Sequence, residues 1–133
     1  MLENIKLPLQ LNQIQDHKAN AIAVEMLQRV QLSERADDFP DQLSGGEQQR
    51  VAIARAMVHR PALVLADEHT GNLDAETGAK MMALFNEIAI ETHQTVLMVT
   101  HSRAVAKTAD RVVQMFDGAV VDSESVSGNS LAW

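Results

Sequence analysis

Three short runs in the sequence carry residues that could do chemistry. The first is Ser44-Gly45-Gly46-Glu47. Ser followed three positions later by Glu has the spacing of a capping box, in which the two side chains serve the free backbone N–H groups of a helix start. A helix N-terminus presents unpaired N–H donors and a partial positive charge. Glycines there let a phosphate come close to the backbone. The functional reading is an anion site; a loose turn ahead of a helix is the commoner reading of an isolated Ser-Gly-Gly. The second run is Asp67-Glu68, which follows ALVLA. Neither acid is cheap to bury unpaired. At a strand end, one carboxylate suits a Mg²⁺ shell and the other can orient a water. A strand that simply ends at solvent explains the pair equally well. The third is His101, which follows TVLMV and Thr100. A lone His is more often a surface or packing residue than a catalytic one. Here its place at the end of a second apolar run would open it onto the same crevice as Asp67 and Glu68.

Those residues need elements to hold them. Residues 1–12 mix apolar side chains with Pro8 and read as an extended or irregular segment. Residues 16–31 place Ala19, Ile22, Ala23, Met26, Leu27 and Val30 on one stripe, the pattern of an amphipathic helix. Residues 33–42 are polar, contain Pro40 and read as a loop. A helix begins at Ser44, runs through VAIARAMV and stops before Pro61. ALVLA (62–66) and TVLMV (95–99) are short continuous apolar runs, which predict strands buried on both faces. The helix 76–92 joins them, so the pair forms a right-handed βαβ unit with parallel strands. Ser102 caps a short helix to about Ala109. VVQMF, Asp117-Gly118 and AVV read as a hairpin with an Asp-Gly turn. The Ser- and Gly-containing end reads as a frayed tail. The fold class is α/β with a helical N-terminal portion.

Composition narrows the function classes. The chain has 133 residues, 46% hydrophobic and 22% charged, enough for a packed core. A net charge of -7 argues against a nucleic-acid backbone as partner. Aromatic residues are only 3%, which argues against base or sugar stacking. Cys is absent, so disulfides and thiolate-bound zinc are excluded. His17, His59 and His93 have no clustered partners and are assigned to the surface.

Together the runs resemble a known family. Leu43-Ser44-Gly45-Gly46-Glu47-Gln48-Gln49-Arg50 is similar to the signature motif of the ATP-binding-cassette (ABC) ATPases. LVLADE, Leu63 to Glu68, resembles their Walker B strand with the catalytic glutamate. Gly71-Asn72-Leu73-Asp74 resembles the D-loop, and Val99-Thr100-His101 the switch-histidine motif. The match runs in order over about residues 1 to 122. TGNLD and ENIKLPL make the lipoprotein-releasing and macrolide-exporter type of ATPase subunit the most similar branch. The resemblance implies that Asp67 helps hold Mg²⁺ through its waters and that Glu68 polarises the attacking water. It implies that His101 contacts the γ-phosphate of ATP, and that Ser44 and Gly46, with Gly45 and Glu47 beside them, meet a nucleotide held by a second ABC ATPase subunit. Asp74 would touch that subunit across the dimer. The other implied partner is a membrane permease, which would hold the subunit at the cytoplasmic, inner face of the cell membrane.

The sequence also departs from the family. A P-loop reads G-x-x-x-x-G-K-[ST], and its N–H groups and Lys grip the phosphates. Gly-Lys occurs nowhere in this chain. In the family the P-loop and the glutamine-bearing loop lie upstream of the segment resembling ENIKLPL, so the resemblance places both ahead of Met1. The expectation is therefore a partial P-loop NTPase (ABC ATPase) fold: a helical signature portion over 1–60, a partial hydrolysis core with an incomplete parallel sheet over 61–122, and a tail over 123–133. The isolated chain should bind ATP and Mg²⁺ weakly or not at all and should have negligible ATPase activity. The TVLMV strand should have an open apolar edge, which favours a homo-oligomer or domain swap. His69 stands where the family has Pro, which puts the aim of Glu68 in doubt. Two other readings remain at this point: a truncated or vestigial chain that only pairs with an intact ATPase subunit, and a non-transport ABC ATPase.

Overall fold

The computed structural model describes residues 1–67 and 75–125. Glu68, His69, Gly71, Asn72, Leu73 and Asp74 lie outside the described residues, as does the segment 126–133. The elements run α1 (Leu2–Leu11), α2 (Asp16–Arg29), α3 (Gly45–Met57), β1 (Leu63–Asp67), α4 (Ala75–Glu91), β2 (Thr95–Val99), α5 (Arg103–Ala106), β3 (Arg111–Phe116) and β4 (Ala119–Ser125).

The first element corrects the sequence reading. Residues 2–11 are helical despite Pro8 within them. An interior proline removes one helix hydrogen bond and crowds the preceding turn. Packing overrides that cost: Ile5 and Leu9 are buried in the core, where α1 lies on α2 and α3. Asn12 finishes the helix, donating from its N–H and its Nδ2 to the Pro8 carbonyl. Lys6 is also buried, and its ammonium reaches Glu3 and Asp16 at 3.0 Å each, which ties α1 to α2. Those two acceptors raise the Lys6 pKa, and the Lys6 hydrogen bond is the main reason that Asp16 is lowered.

α2, α4 and α3 each end where a residue takes up a left-handed conformation: Gln31, His93 and Arg60. The polar stretch 33–42 is not a plain loop, for it holds two single-turn 3₁₀ helices, Ser33–Arg35 and Pro40–Gln42. Arg29 of α2 reaches Glu91 at the end of α4 at 2.6 Å, joining the helical layer to the far end of the βαβ unit.

β1 and β2 pair in parallel, Leu63 opposite Thr95 and Asp67 opposite Val99, as the two apolar runs and the helix between them predict. Their burial is the second correction. Val64 is buried and Ala66, Val96 and Met98 pack against the core with Phe85 and Ile88 of α4. The alternate residues face outward: Leu65 is 71% exposed, Leu97 60% and Val99 67%. Side chains alternate across a strand, so one helical layer can cover only one face. No described element covers the other. Among the described residues β2 pairs with β1 alone.

α5 stops at Ala106, earlier than expected, and single turns carry the chain on to Ala109. The hairpin forms as predicted, with Asp117 and Gly118 both at positive φ. β4 pairs as far as Ser125, opposite Arg111, so pairing reaches into the segment read as a tail.

Candidate functional site

The candidate residues fall at two places. The first is the start of α3. Ser44 is its N-cap, in extended conformation, and the reciprocal box with Glu47 is formed. The Ser44 N–H donates to Glu47 Oε2 at 2.8 Å and the Ser44 hydroxyl donates to the same oxygen at 2.7 Å. In return the Glu47 N–H donates to Ser44 Oγ at 3.4 Å. These Ser44 donors, with Arg35 nearby, hold the Glu47 carboxyl below its ordinary pKa. The box leaves Gly45 and Gly46 at the first helical positions, where no backbone acceptor within the described residues meets their N–H groups. Gly45 has open space where a side chain would stand. A side chain at Gly46 would meet Thr77 of α4, so the α3 start lies against the first turn of α4.

Gln48 fastens this end from behind. Its Nε2 donates to the carbonyls of Pro40 and Leu43 at 3.1 Å each. Sequence reasoning missed Arg35, and it placed Gln48 in the motif without this fastening role. The Ser-x-x-Glu spacing marks the box, but nothing in a polar stretch shows which side chain folds back onto it.

The second place is the C-terminal edge of the parallel strands. Asp67 ends β1 and lies opposite Val99 in the register. His101 follows two residues beyond Val99, and both side chains are exposed. The Ser102 N–H donates to Thr100 Oγ1 at 2.9 Å, and the Ser102 hydroxyl caps α5, so this turn is internally braced. Asp67 and His101 therefore come to one sheet edge, the usual site edge of parallel α/β proteins. Glu68 and Asp74 fall outside the described residues. The other histidines bear out the surface assignment only in part, since His59 is half-buried with its Nδ1 enclosed and without a partner.

No cluster of three or more His, Asp or Glu that could hold a metal occurs among the described residues. The donor set still fits Mg²⁺, which keeps several waters and needs only one or two carboxylates beside phosphate oxygens. Asp67 offers one such carboxylate at the strand edge. The two N–H groups at the α3 start suit a phosphate oxygen.

An α/β protein with acidic and imidazole side chains at parallel strand ends, and a capped glycine helix start at a second place, falls in the class that handles phosphates at such places. Comparison with known proteins makes the class specific. The family model described as ABC transporter matches residues 2–71. An uncharacterized ABC transporter ATP-binding protein of Mycobacterium tuberculosis is 46% identical over 121 residues, which is 91% of this chain and 49% of that protein. The lipoprotein-releasing system ATP-binding protein LolD 2 of Rhodopirellula baltica is 43% identical over 130 residues, 93% of this chain and 51% of that one. Among solved structures, the dimeric structure of MJ0796, a bacterial ABC transporter cassette, matches with a TM-score of 0.78 and 42% identity. That match covers 96% of this chain and 57% of the cassette. The chain belongs to the ABC transporter family, and its fold is a partial ABC ATPase fold of the P-loop NTPase type. It spans about half the length of the curated relatives it matches.

Proposed function

We propose that this chain is the signature-bearing portion of an ATP-hydrolysing ABC transporter subunit, whose parent couples ATP hydrolysis to transport through a membrane permease. Residues 1–60 form the signature part and 61–122 the hydrolysis core. The observation that carries the reading is the α3 start, where Ser44 and Glu47 cap each other and the Gly45 and Gly46 N–H groups meet no backbone acceptor among the described residues.

In this reading Ser44 and Gly46 contact the γ-phosphate of an ATP gripped by a second subunit. The N–H donors act on charge that grows as the phosphoryl group is transferred, and the Ser44 hydroxyl joins them by turning its hydrogen from Glu47 to the phosphate. Asp67 orients the waters of Mg²⁺, which when bound neutralises phosphate charge. Glu68 accepts the proton of the attacking water, and His101 donates toward the γ-phosphate and steadies Glu68. Asp74 contacts the second subunit. The chain acts at the cytoplasmic face of the membrane, docked on the permease; no helix among the described residues is long and apolar enough to cross a bilayer. The exposed row Leu65, Leu97 and Val99 supports self-association through the open strand pair when no other segment covers it.

The test mixes the full chain with an intact family cassette whose own signature serine is replaced. The chain alone should show only background magnesium-dependent turnover. The mixture should hydrolyse ATP, and Ser44→Ala in this chain should remove the gain. Turnover by the chain alone that Glu68→Gln abolishes would overturn the inactivity. A mixture indifferent to Ser44→Ala would overturn the role of the α3 start.

A further inference from the structure

The stretch 33–42 carries no motif, yet one of its side chains reaches the capping box. Arg35 closes the 3₁₀ turn Ser33–Arg35. Its Nε lies 3.3 Å from Glu47 Oε1, and its Nη1 lies 3.1 Å from Asp38 Oδ2. The other Glu47 oxygen, Oε2, takes both Ser44 donors. The carboxylate is thus divided, with Arg35 on one oxygen and Ser44 on the other. The Glu47 side chain is only 18% exposed, whereas that of Arg35 is 49% exposed.

We propose that Arg35 is a positioning residue for the phosphate-contacting end of α3: it holds the Glu47 carboxylate in the capping box with Ser44, and the box keeps the Gly45 and Gly46 N–H groups turned toward an incoming anion. The inference rests on the reading of Ser44 as a phosphate contact. Two physical consequences follow from the geometry. The Arg35 ion pair on Oε1 favours the rotation that keeps Oε2 on the two Ser44 donors. The guanidinium charge also offsets the Glu47 charge, which otherwise repels an anion arriving at Gly45 and Gly46. Asp38 anchors Arg35 from its own turn, so the arrangement Asp38–Arg35–Glu47–Ser44 joins the polar stretch to the helix start.

The experiment uses the full chain labelled for NMR, mixed with an intact family cassette whose own signature serine is replaced, and MgATP as the probe. The Glu47 carboxyl is titrated with pH, and the Gly45 and Gly46 amide shifts are followed as MgATP is added. Arg35→Gln should raise the Glu47 titration midpoint toward that of an ordinary glutamate. It should raise about 5-fold the MgATP concentration at which the Gly45 and Gly46 shifts respond in the mixture, the scale of one weakened ion pair. Arg35→Lys keeps the charge but not the fork and should recover about half of that loss. The melting temperature should hold within about 2 °C in both variants, because half-exposed ion pairs contribute little to stability; a structural role alone would move the melt and leave the Lys variant without advantage. Ser44→Ala is the control on the underlying reading. If Ser44→Ala weakens binding while Arg35→Gln binds as the unchanged chain does, the positioning role falls and the phosphate reading stands. If Ser44→Ala binds as the unchanged chain does, the phosphate reading falls and takes the positioning role with it.

Discussion

Replacing Ser44 separates the hydrogen-bonded box from a generic helix cap. The Ser44 hydroxyl accepts a long bond from the Glu47 N–H at 3.4 Å and donates a short one to Glu47 Oε2 at 2.7 Å. Ser44→Ala deletes both and leaves the backbone bond from the Ser44 N–H at 2.8 Å. Losing a side-chain N-cap costs about 0.5–2 kcal/mol. With one of the three contacts surviving, the expected cost is about 1 kcal/mol, or roughly 4 °C in melting temperature for a chain of this length. Ser44→Asp is the sharper variant. General cap preferences rank Asp level with Ser. In this structure a carboxylate at position 44 would face Glu47 Oε2, so acceptor would meet acceptor and both would be charged. Ser44→Asp should therefore be no more stable than Ser44→Ala at neutral pH, and should recover as acid protonates one of the two carboxyls. Ser44→Asn retains a donor and should fall between Ser and Asp. Thermal unfolding of the full chain, followed by far-UV circular dichroism, reads all four proteins. A Ser44→Asp chain that melts with the unchanged one at neutral pH would falsify the hydroxyl–carboxylate bond and the orientation of Ser44 argued from it.

Ile5→Ala should lower unfolding free energy by about 2–5 kcal/mol in urea titration, since Ile5 is fully enclosed, while Leu11→Ala on the exposed end of α1 should change it by less than about 0.5 kcal/mol. Equal costs would mean that α1 is not docked. Asp16 is held below its ordinary pKa mainly by Lys6, so its contribution is present above the ordinary aspartate range and is lost as the pH falls through the depressed value. Denaturant midpoints measured across that acidic range should fall in the unchanged chain and fall less steeply in Asp16→Asn. Leu65→Lys combined with Leu97→Lys should leave the circular dichroism spectrum intact and reduce concentration-dependent association in sedimentation, because both side chains point away from the core. Loss of folded signal in that double variant would show that the outer sheet face is packed in solution.

What could be read from the sequence was local or periodic. Ser44 and Glu47 stand three residues apart, and that spacing is sufficient to form the box wherever the helix goes. The Asp-Gly turn and the two apolar runs likewise declare a hairpin and a parallel pair, because backbone conformation and strand period act over a few residues. Asp67 and His101 were legible as strand-end residues for the same reason. Three features depended on distant parts of the chain. Pro8 signals a break, yet α1 forms because Ile5 and Leu9 gain a core built from α2 and α3. ALVLA and TVLMV read as strands covered on both faces, but coverage depends on how many layers are present, and only the Val64 and Val96 side is packed. Arg35 looks like any charged residue in a polar stretch, and only the fold brings its guanidinium to Glu47. The sequence alone determined the motifs, their order and the type of most elements, because short-range backbone and side-chain chemistry sets them. Tertiary structure alone decided which faces are buried and which remote side chain steadies the Ser44 end, because those depend on contacts between segments far apart in the chain.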